Sequence, residues 1–422
     1  MTRTSKICLY LLLCFIPINA FAQPTILDTM VNKAIEVSPK LRMFEAKYKA
    51  AQMQSNVDSH LPDPMLTLGV ANLPTDTFSF TQEPMTGKII GLSQAVPFPG
   101  KLDSIRDVKN KAAEIVKQEI EDAKNDIVKS VSQNYYEMIF VRKAIEVAKE
   151  NLKLLHDITQ VVRTNYTVGK SSQQNLFKVE LEITNLNDKI EELKNKENMV
   201  TAMLNALLLQ SQDTQIATDD LPELQYYKLT QQQLESLVIQ NRPYLTGIKL
   251  AKQKAKLQEK LAQYDYYPNF NFSVQYSQRD EIAKTNTDLA DFASFMVGIS
   301  IPLNFGGKVS SKVKETQALQ TMYDAQYHLS LQMLDGNFGT SISMLNSLRK
   351  RIKLIQEVQL PQAQQTFSTT LSSYQVGQVD FINVIDAQNK LYQVQTNLYR
   401  LTVDYLKEIE ELKFLTGTKE LG

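Results

Sequence analysis

The chain has 422 residues with 46 basic and 46 acidic side chains, so its formal charge is zero and no basic field points to nucleic acid. Tryptophan is absent, glycine and proline number 14 each, and long tracts are rich in Ala, Glu, Lys, Leu and Gln. That composition favours extended helices over several compact domains.

At the N-terminus, Arg3 and Lys6 precede an apolar run from Ile7 to Ile18, with small residues at Ala20 and Ala22. This predicts a secretory signal over residues 1–22, cut after Ala22. A retained anchor is the alternative, but a dozen apolar residues fall short of the roughly 20 that a spanning helix needs. Cys8 and Cys14 both lie in this segment, so the mature chain is expected to carry no thiol, disulfide or cysteine metal site. Lipid attachment at Cys14 is a weaker reading, because Leu13 stands where a small residue is usual. No second apolar segment reaches spanning length, which leaves β-strands as the only route into a bilayer.

The remainder is written twice. SPKL from Ser38 parallels RPYL from Arg242, LPDPMLTLGV from Leu61 parallels YPNFNFSVQY from Tyr267, and GLSQAVPFPGK from Gly91 parallels GISIPLNFGGK from Gly298. YTVGK from Tyr166 parallels YQVGQ from Tyr374, and the offsets between landmarks stay between 204 and 208 residues. Four landmarks in step indicate duplication of one structural unit.

The first unit, residues 23–212, opens with a short helix. A strand is predicted near 65–72, where Leu66, Leu68 and Val70 alternate with Thr67, Gly69 and Ala71. A polar loop over 72–88 leads to a strand near 89–96, where Gln94 interrupts the apolar face of Ile90, Leu92 and Val96. A very long helix follows near 102–166. Its apolar stripe runs from Val116 through Ile120, Ala123, Ile127, Val131 and Tyr135 to Val162, averaging about 3.5 residues per step, the coiled-coil period. A turn at Gly169 leads into a helix near 172–211, and a Gln-, Asp- and Thr-rich linker at 213–230 joins the units.

In the second unit, residues 231–415, strands are predicted near 269–277 and 295–302. Phe270, Phe272, Val274 and Tyr276 form one apolar face, as do Phe295, Val297, Ile299 and Ile301. Long helices follow near 308–373, with a kink or break at Pro361, and near 380–415, before a tail at 416–422. Four strands cannot close a membrane barrel, whose smallest forms have about eight, whereas three copies supply about twelve. The expected fold is therefore mainly α with a small β part. A duplicated unit of two strands plus long coiled-coil helices assembles as a homotrimer with a 12-stranded membrane β-barrel, its lipid-facing side apolar, continued by a helical barrel.

The strand-pair and long-helix plan, VPFPGK at Val96 to Lys101 and the turns at Tyr166–Gly169 and Tyr374–Gly377 together resemble the TolC-like outer-membrane efflux family over essentially the whole mature chain. The resemblance implies a trimeric exit duct with a long periplasmic portion. It also implies an inner-membrane pump, of the RND type, joined through a periplasmic adaptor (membrane fusion) protein. The segments at Pro62–Pro74 and Ser93–Leu102 look most like the branch serving heavy-metal cation pumps. In the family the tip turns engage the adaptor, which assigns Val168, Gly169 and Lys170 in one copy and Val376, Gly377 and Gln378 in the other. Lys170 and Gln378 replace the residues usual there. A pair of acids three apart lines the closed tip in the family; the matching positions are Asn383 and Asp386, with Asp380 a candidate to supply the missing charge.

Nothing in the sequence builds an enzyme or a cofactor site. His60, His156 and His328 are scattered, and no nucleophile elbow, P-loop or dinucleotide fingerprint occurs. GGK at Gly306–Lys308 lacks the spacing of a phosphate loop and matches PGK in the other copy, which marks a turn into a helix. The competing reading is a periplasmic or surface coiled-coil protein with a structural or adhesive role.

Overall fold

The computed structural model describes residues 25–421; the expected signal at 1–22 lies outside them. Helix α1 (Ile26–Val37) begins with a capping box between Thr25 and Asp28, and α5 (Gln231–Asn241) begins with the same device between Thr230 and Gln233. Each is followed at once by a second helix, α2 (Pro39–Asp58) and α6 (Pro243–Gln263). The sequence pattern alone reads as one short helix here. Proline lacks the N–H that would continue the first helix, and it drives Ser38 and Arg242 to ψ of 118° and 113°, outside the helical region.

Strands β1 (Met65–Ala71), β2 (Gly87–Val96), β3 (Asn269–Gln278) and β4 (Phe292–Ser300) form one antiparallel sheet in sequence order. β4 starts three residues earlier than its alternation suggested, because Phe292, Ala293 and Ser294 pair with Ser277, Tyr276 and Gln275. It ends before Pro302, which has no N–H for the ladder. The register sets Leu68 against Ile90, Leu92 against Val274, and Phe272 against Val297, so that, with Met65, Ile89, Phe292 and Met296 on the other side, the alternating apolar sets of the four strands share one face. That face is bare: Leu68 is 70% exposed, Val297 60% and Phe295 79%. Its polar members sit at the two ends. Gln94 donates to the carbonyl of Pro62 at the helical end, and Lys88 pairs with Asp280 at the loop end. The outer edges of β1 and β4 are unpaired.

Helix α3 (Lys101–Thr167) has 67 residues and spans about 100 Å at 1.5 Å per residue. Of the fourteen residues in its stripe from Val116 to Val162, all but Leu152 are buried, so the coiled-coil period corresponds to one continuous packed seam. Helix α4 (Gln173–Leu207) returns alongside it and stops short of residue 211. Leu209 turns left-handed at φ 49°, and the Asn205 amide ties back the carbonyls of Gln212 and Thr214, both at 2.9 Å.

Helix α7 (Lys308–Leu354) does not break at Pro361. It widens into a π-turn at Ile355–Gln359 and continues as α8 (Leu360–Gln375). The wide turn accommodates the missing proline N–H one turn upstream, where the ring would otherwise crowd the carbonyl of Glu357. Helix α9 (Phe381–Thr416) completes the chain.

In space, α2 packs on α3, α3 on α6 and α6 on α7, a row that continues β1 to β4 in the same order. At the join, Asp265 lies between α6 and β3 and receives Lys101 at 2.8 Å and Lys312 at 2.5 Å, the first turns of both long helices. Burial pushes its carboxyl up, but hydrogen bonds and charge from the two lysines outweigh this and hold it below the usual range. Phe98 and Tyr267 stack beside it with centroids 4.6 Å apart. Below mid-length α4 packs on α3, α9 on α8, and α9 on α3.

Candidate functional site

The two tip turns have one geometry. Val168 and Val376 both end their helices at φ −94°, and Gly169 and Gly377 follow at φ 76° and 78°. The Lys170 N–H donates to Asn165 O at 2.8 Å and the Gln378 N–H to Ser373 O at 2.9 Å. These are paired Schellman closures, which need a residue tolerant of positive φ and so explain both glycines. Val168 and Val376 are 61% and 71% exposed, two apolar side chains held at the end of the molecule without a partner in the chain. The Tyr374 hydroxyl contacts the Ser171 hydroxyl at 3.3 Å, so the turns lie side by side.

Just past the second turn, Phe381, Val384 and Ile385 at the start of α9 are buried, while Asn383 and Asp386 stand exposed one turn apart. Neither side chain bonds to another residue among the described ones, so both are presented outward. Asp380 is the N-cap, makes no side-chain capping bond, and lies about 120° round the helix from Asp386 at ~100° per residue. The structure therefore sets Asn383 and Asp386 on one exposed face, with Asp380 at the helix start three residues before Asn383.

Two polar clusters on the α3–α9 seam carry no signal readable in sequence. Gln388, 1% exposed, donates to Asn151 at 3.1 Å, and Asn151 donates to Gln395 at 3.3 Å. Higher up, Glu137 accepts Arg400 at 3.0 Å, Lys407 at 2.6 Å and Lys196 at 2.7 Å. Their charges cannot be distinguished in sequence from the solvated Lys and Glu around them. Among the described residues no group of three or more His, Cys, Asp or Glu is placed to hold a metal ion, and no helix is long and apolar enough to cross a membrane.

Residues 30–226 and 234–418 each match the model of the family described as outer membrane efflux protein, one match per copy of the repeat. The chain is 22% identical to the probable outer membrane lipoprotein SilC of Salmonella typhimurium, over 94% of this chain and 86% of that one. It is 20% identical to the cation efflux system protein CusC of Escherichia coli K12, covering 92% and 85%. Its fold superposes on the outer membrane protein VceC of Vibrio cholerae with a TM-score of 0.77 at 17% identity, covering 93% and 96%. Matched twice over nearly its whole described length, the chain belongs to the outer membrane efflux protein family and is an outer-membrane channel, not an enzyme.

Proposed function

We propose that the chain is the exit duct of a tripartite efflux system, working as a homotrimer whose twelve strands close a membrane barrel and whose helices continue it as a periplasmic tunnel. The observation that carries this reading is the pair of unfinished edges. β1 and β4 leave the sheet open, and α2 and α7 leave the helix row open on the same two sides. On α2 the exposed Met43, Ala46, Ala50, Met53 and Val57 keep heptad spacing. They lie on the side of the helix opposite its buried Leu41 and Ser55. On α7 the exposed Ala318, Met322, Ala325 and Leu329 stand about 150° round from Ser330, Leu334 and Phe338. A second packing face on each end helix, nearly opposite the first, lets the row continue into the next copy, and three copies of four helices make a ring of twelve.

The internal repeat specifies the contact. Within the chain Gly247 of α6 approaches Gln118 of α3, where an added Cβ would lie 3.7 Å from the glutamine Cβ. The repeat offsets carry these positions to Met43 and Ala325, so a large residue on α2 meets a small one on α7 of the next copy. The detergent-solubilised protein should be a trimer by light scattering, and a folded monomer as the sole species would overturn the closed ring.

In such a trimer the tip turns Val168–Lys170 and Val376–Gln378 meet the periplasmic adaptor that joins an RND-type pump. Asp386 of each subunit then contributes to a ring of three carboxylates, which favours cations. Asp386→Ala should weaken cation selectivity and divalent block while leaving assembly intact. Asn383→Asp should strengthen both, and Asp380→Ala, about 120° round the helix from Asp386, should change neither. Single-channel recording in asymmetric salt checks this; an unchanged reversal potential in Asp386→Ala would reduce the residue to a helix-start acid. Heavy-metal cations are the proposed cargo, supported by the segment at Pro62–Pro74 and by the name of the cation efflux relative. Cells lacking the chain should then lose tolerance of transition-metal salts and keep that of lipophilic drugs.

A further inference from the structure

Below the upper helix row α7 carries a second exposed stripe, and this one contains a charge. Met344, Arg351 and Val358 follow one another at seven-residue intervals, all exposed, with Leu354 beside them. Helix α4 presents a matching stripe on the side opposite its buried Leu186, Ile190 and Leu193, with Phe177, Leu181 and Met199 exposed. Asp188 lies in the middle of it, eleven residues from Phe177 and eleven from Met199. Among the described residues neither Arg351 nor Asp188 has an ion-pair partner, whereas their neighbours Lys189 and Lys353 are paired within their own helices.

The repeat fixes how these stripes align. Within the chain, α9 packs on α3 with Asn151 level with Gln388 and Gln395, and Glu137 level with Arg400 and Lys407. The offset of 208 that carries Gly169 to Gly377 turns α3 into α7 and α8, and α9 into α4. Gln359 then stands level with Glu180 and Asn187 of a neighbouring copy, and Leu345 with Glu192 and Met199. Arg351 falls between Leu345 and Gln359, and Asp188 between Asn187 and Glu192.

We propose that Arg351 of one subunit pairs with Asp188 of the next and fixes the axial register of the lower seam. This rests on the trimeric reading above. Charge favours it on both sides: Arg349, Lys350 and Lys353 surround Arg351, while Glu191 and Glu192 lie within a turn of Asp188. A charged pair at one level of the seam specifies register, because slippage by two turns would set Arg351 against Leu181 and leave Asp188 unpaired.

The test uses the full chain expressed in the outer membrane. Arg351→Cys combined with Asp188→Cys should give inter-subunit disulfides on mild oxidation, alongside an upper-seam control of Met43→Cys with Ala325→Cys. In detergent, Arg351→Glu and Asp188→Arg should each speed trimer dissociation about tenfold, and the double reversal should restore it to within about twofold. If the control pair cross-links but Arg351→Cys with Asp188→Cys does not, or if the double reversal is no better than the singles, the pairing is wrong and the trimer stands. If neither pair cross-links, the trimeric reading falls and the pairing with it.

Discussion

Val297→Lys should prevent the chain from accumulating in the outer membrane, and Val274→Lys should do the same. Both side chains lie on the continuous apolar face, Val274 beside Leu92 and Phe295, Val297 beside Phe272, and both are at least half exposed in the single chain. In a lipid-facing position near mid-bilayer a lysine costs on the order of 2–4 kcal/mol. The cost recurs in every subunit of a trimer, so it is paid three times in the assembled barrel. Ser273→Lys and Ser300→Lys lie on the opposite face, against Met296 and Asn269, and should insert almost normally if, as proposed, that face lines the lumen of the barrel. Fractionation and immunoblotting of the four variants measure the difference. Equal losses in all four would mean that the bare apolar face does not contact lipid.

The features legible in the sequence are those whose physics is local and periodic. A strand with one bare face alternates every second residue, and a helix buried along one seam repeats about every 3.5, so β3 and α3 could be read from single lines of text. The tip turns were legible for a related reason: a Schellman closure needs a left-handed residue, and glycine marks it. The breaks at Pro39 and Pro243 also carried a signal, but the helical pattern on either side hid it. A proline that ends one helix and opens the next leaves the apolar spacing of both intact.

What could not be read joins residues far apart. Asp265 holds Lys101 and Lys312 from 164 and 47 residues away, and no pattern at any of the three positions announces the contact. The candidate gate shows the same division. Asn383 and Asp386 fall on one face because they are three apart, which the sequence states. That Asp380 stands at the N-cap and not within the helix depends on where the helix begins, which only the folded chain decides. The open edges of α2 and α7 are the instructive intermediate case. Their stripes are present in the sequence, but only the packed chain shows that a second stripe on each helix is left over.

Glu137 is the residue whose removal should cost the helical part of the molecule most. It sits at mid-length of α3, 12% exposed, and is the common acceptor for Lys196 from α4 and for Arg400 and Lys407 from α9, so one carboxylate ties three helices together. Arg400 also lies over the Phe140 ring at 4.4 Å, which keeps its guanidinium beside apolar surface. Burial alone would push the carboxyl up. The hydrogen bonds from Lys196 and Lys407 and the charges of Lys407 and Arg400 outweigh it and bring the pKa down to about 2, from an ordinary value of 4.5. The folded value lies below the unfolded one, so the stabilisation is complete above about pH 4.5 and is lost as the pH falls through about 2. A shift of this size corresponds to on the order of 3 kcal/mol. Glu137→Gln should therefore lower the stability of the solubilised protein by about 3–5 kcal/mol at pH 7, since three cations are left around a neutral amide. The sharper test is the pH dependence of that loss, followed by the ellipticity of the helices during denaturant unfolding. The gap between the parent and Glu137→Gln should be constant from pH 7 to about 5 and shrink steadily below 4.5. A gap that persists unchanged at pH 2 would show that the glutamine disturbs packing and that the charge of Glu137 contributes little to holding α3, α4 and α9 together.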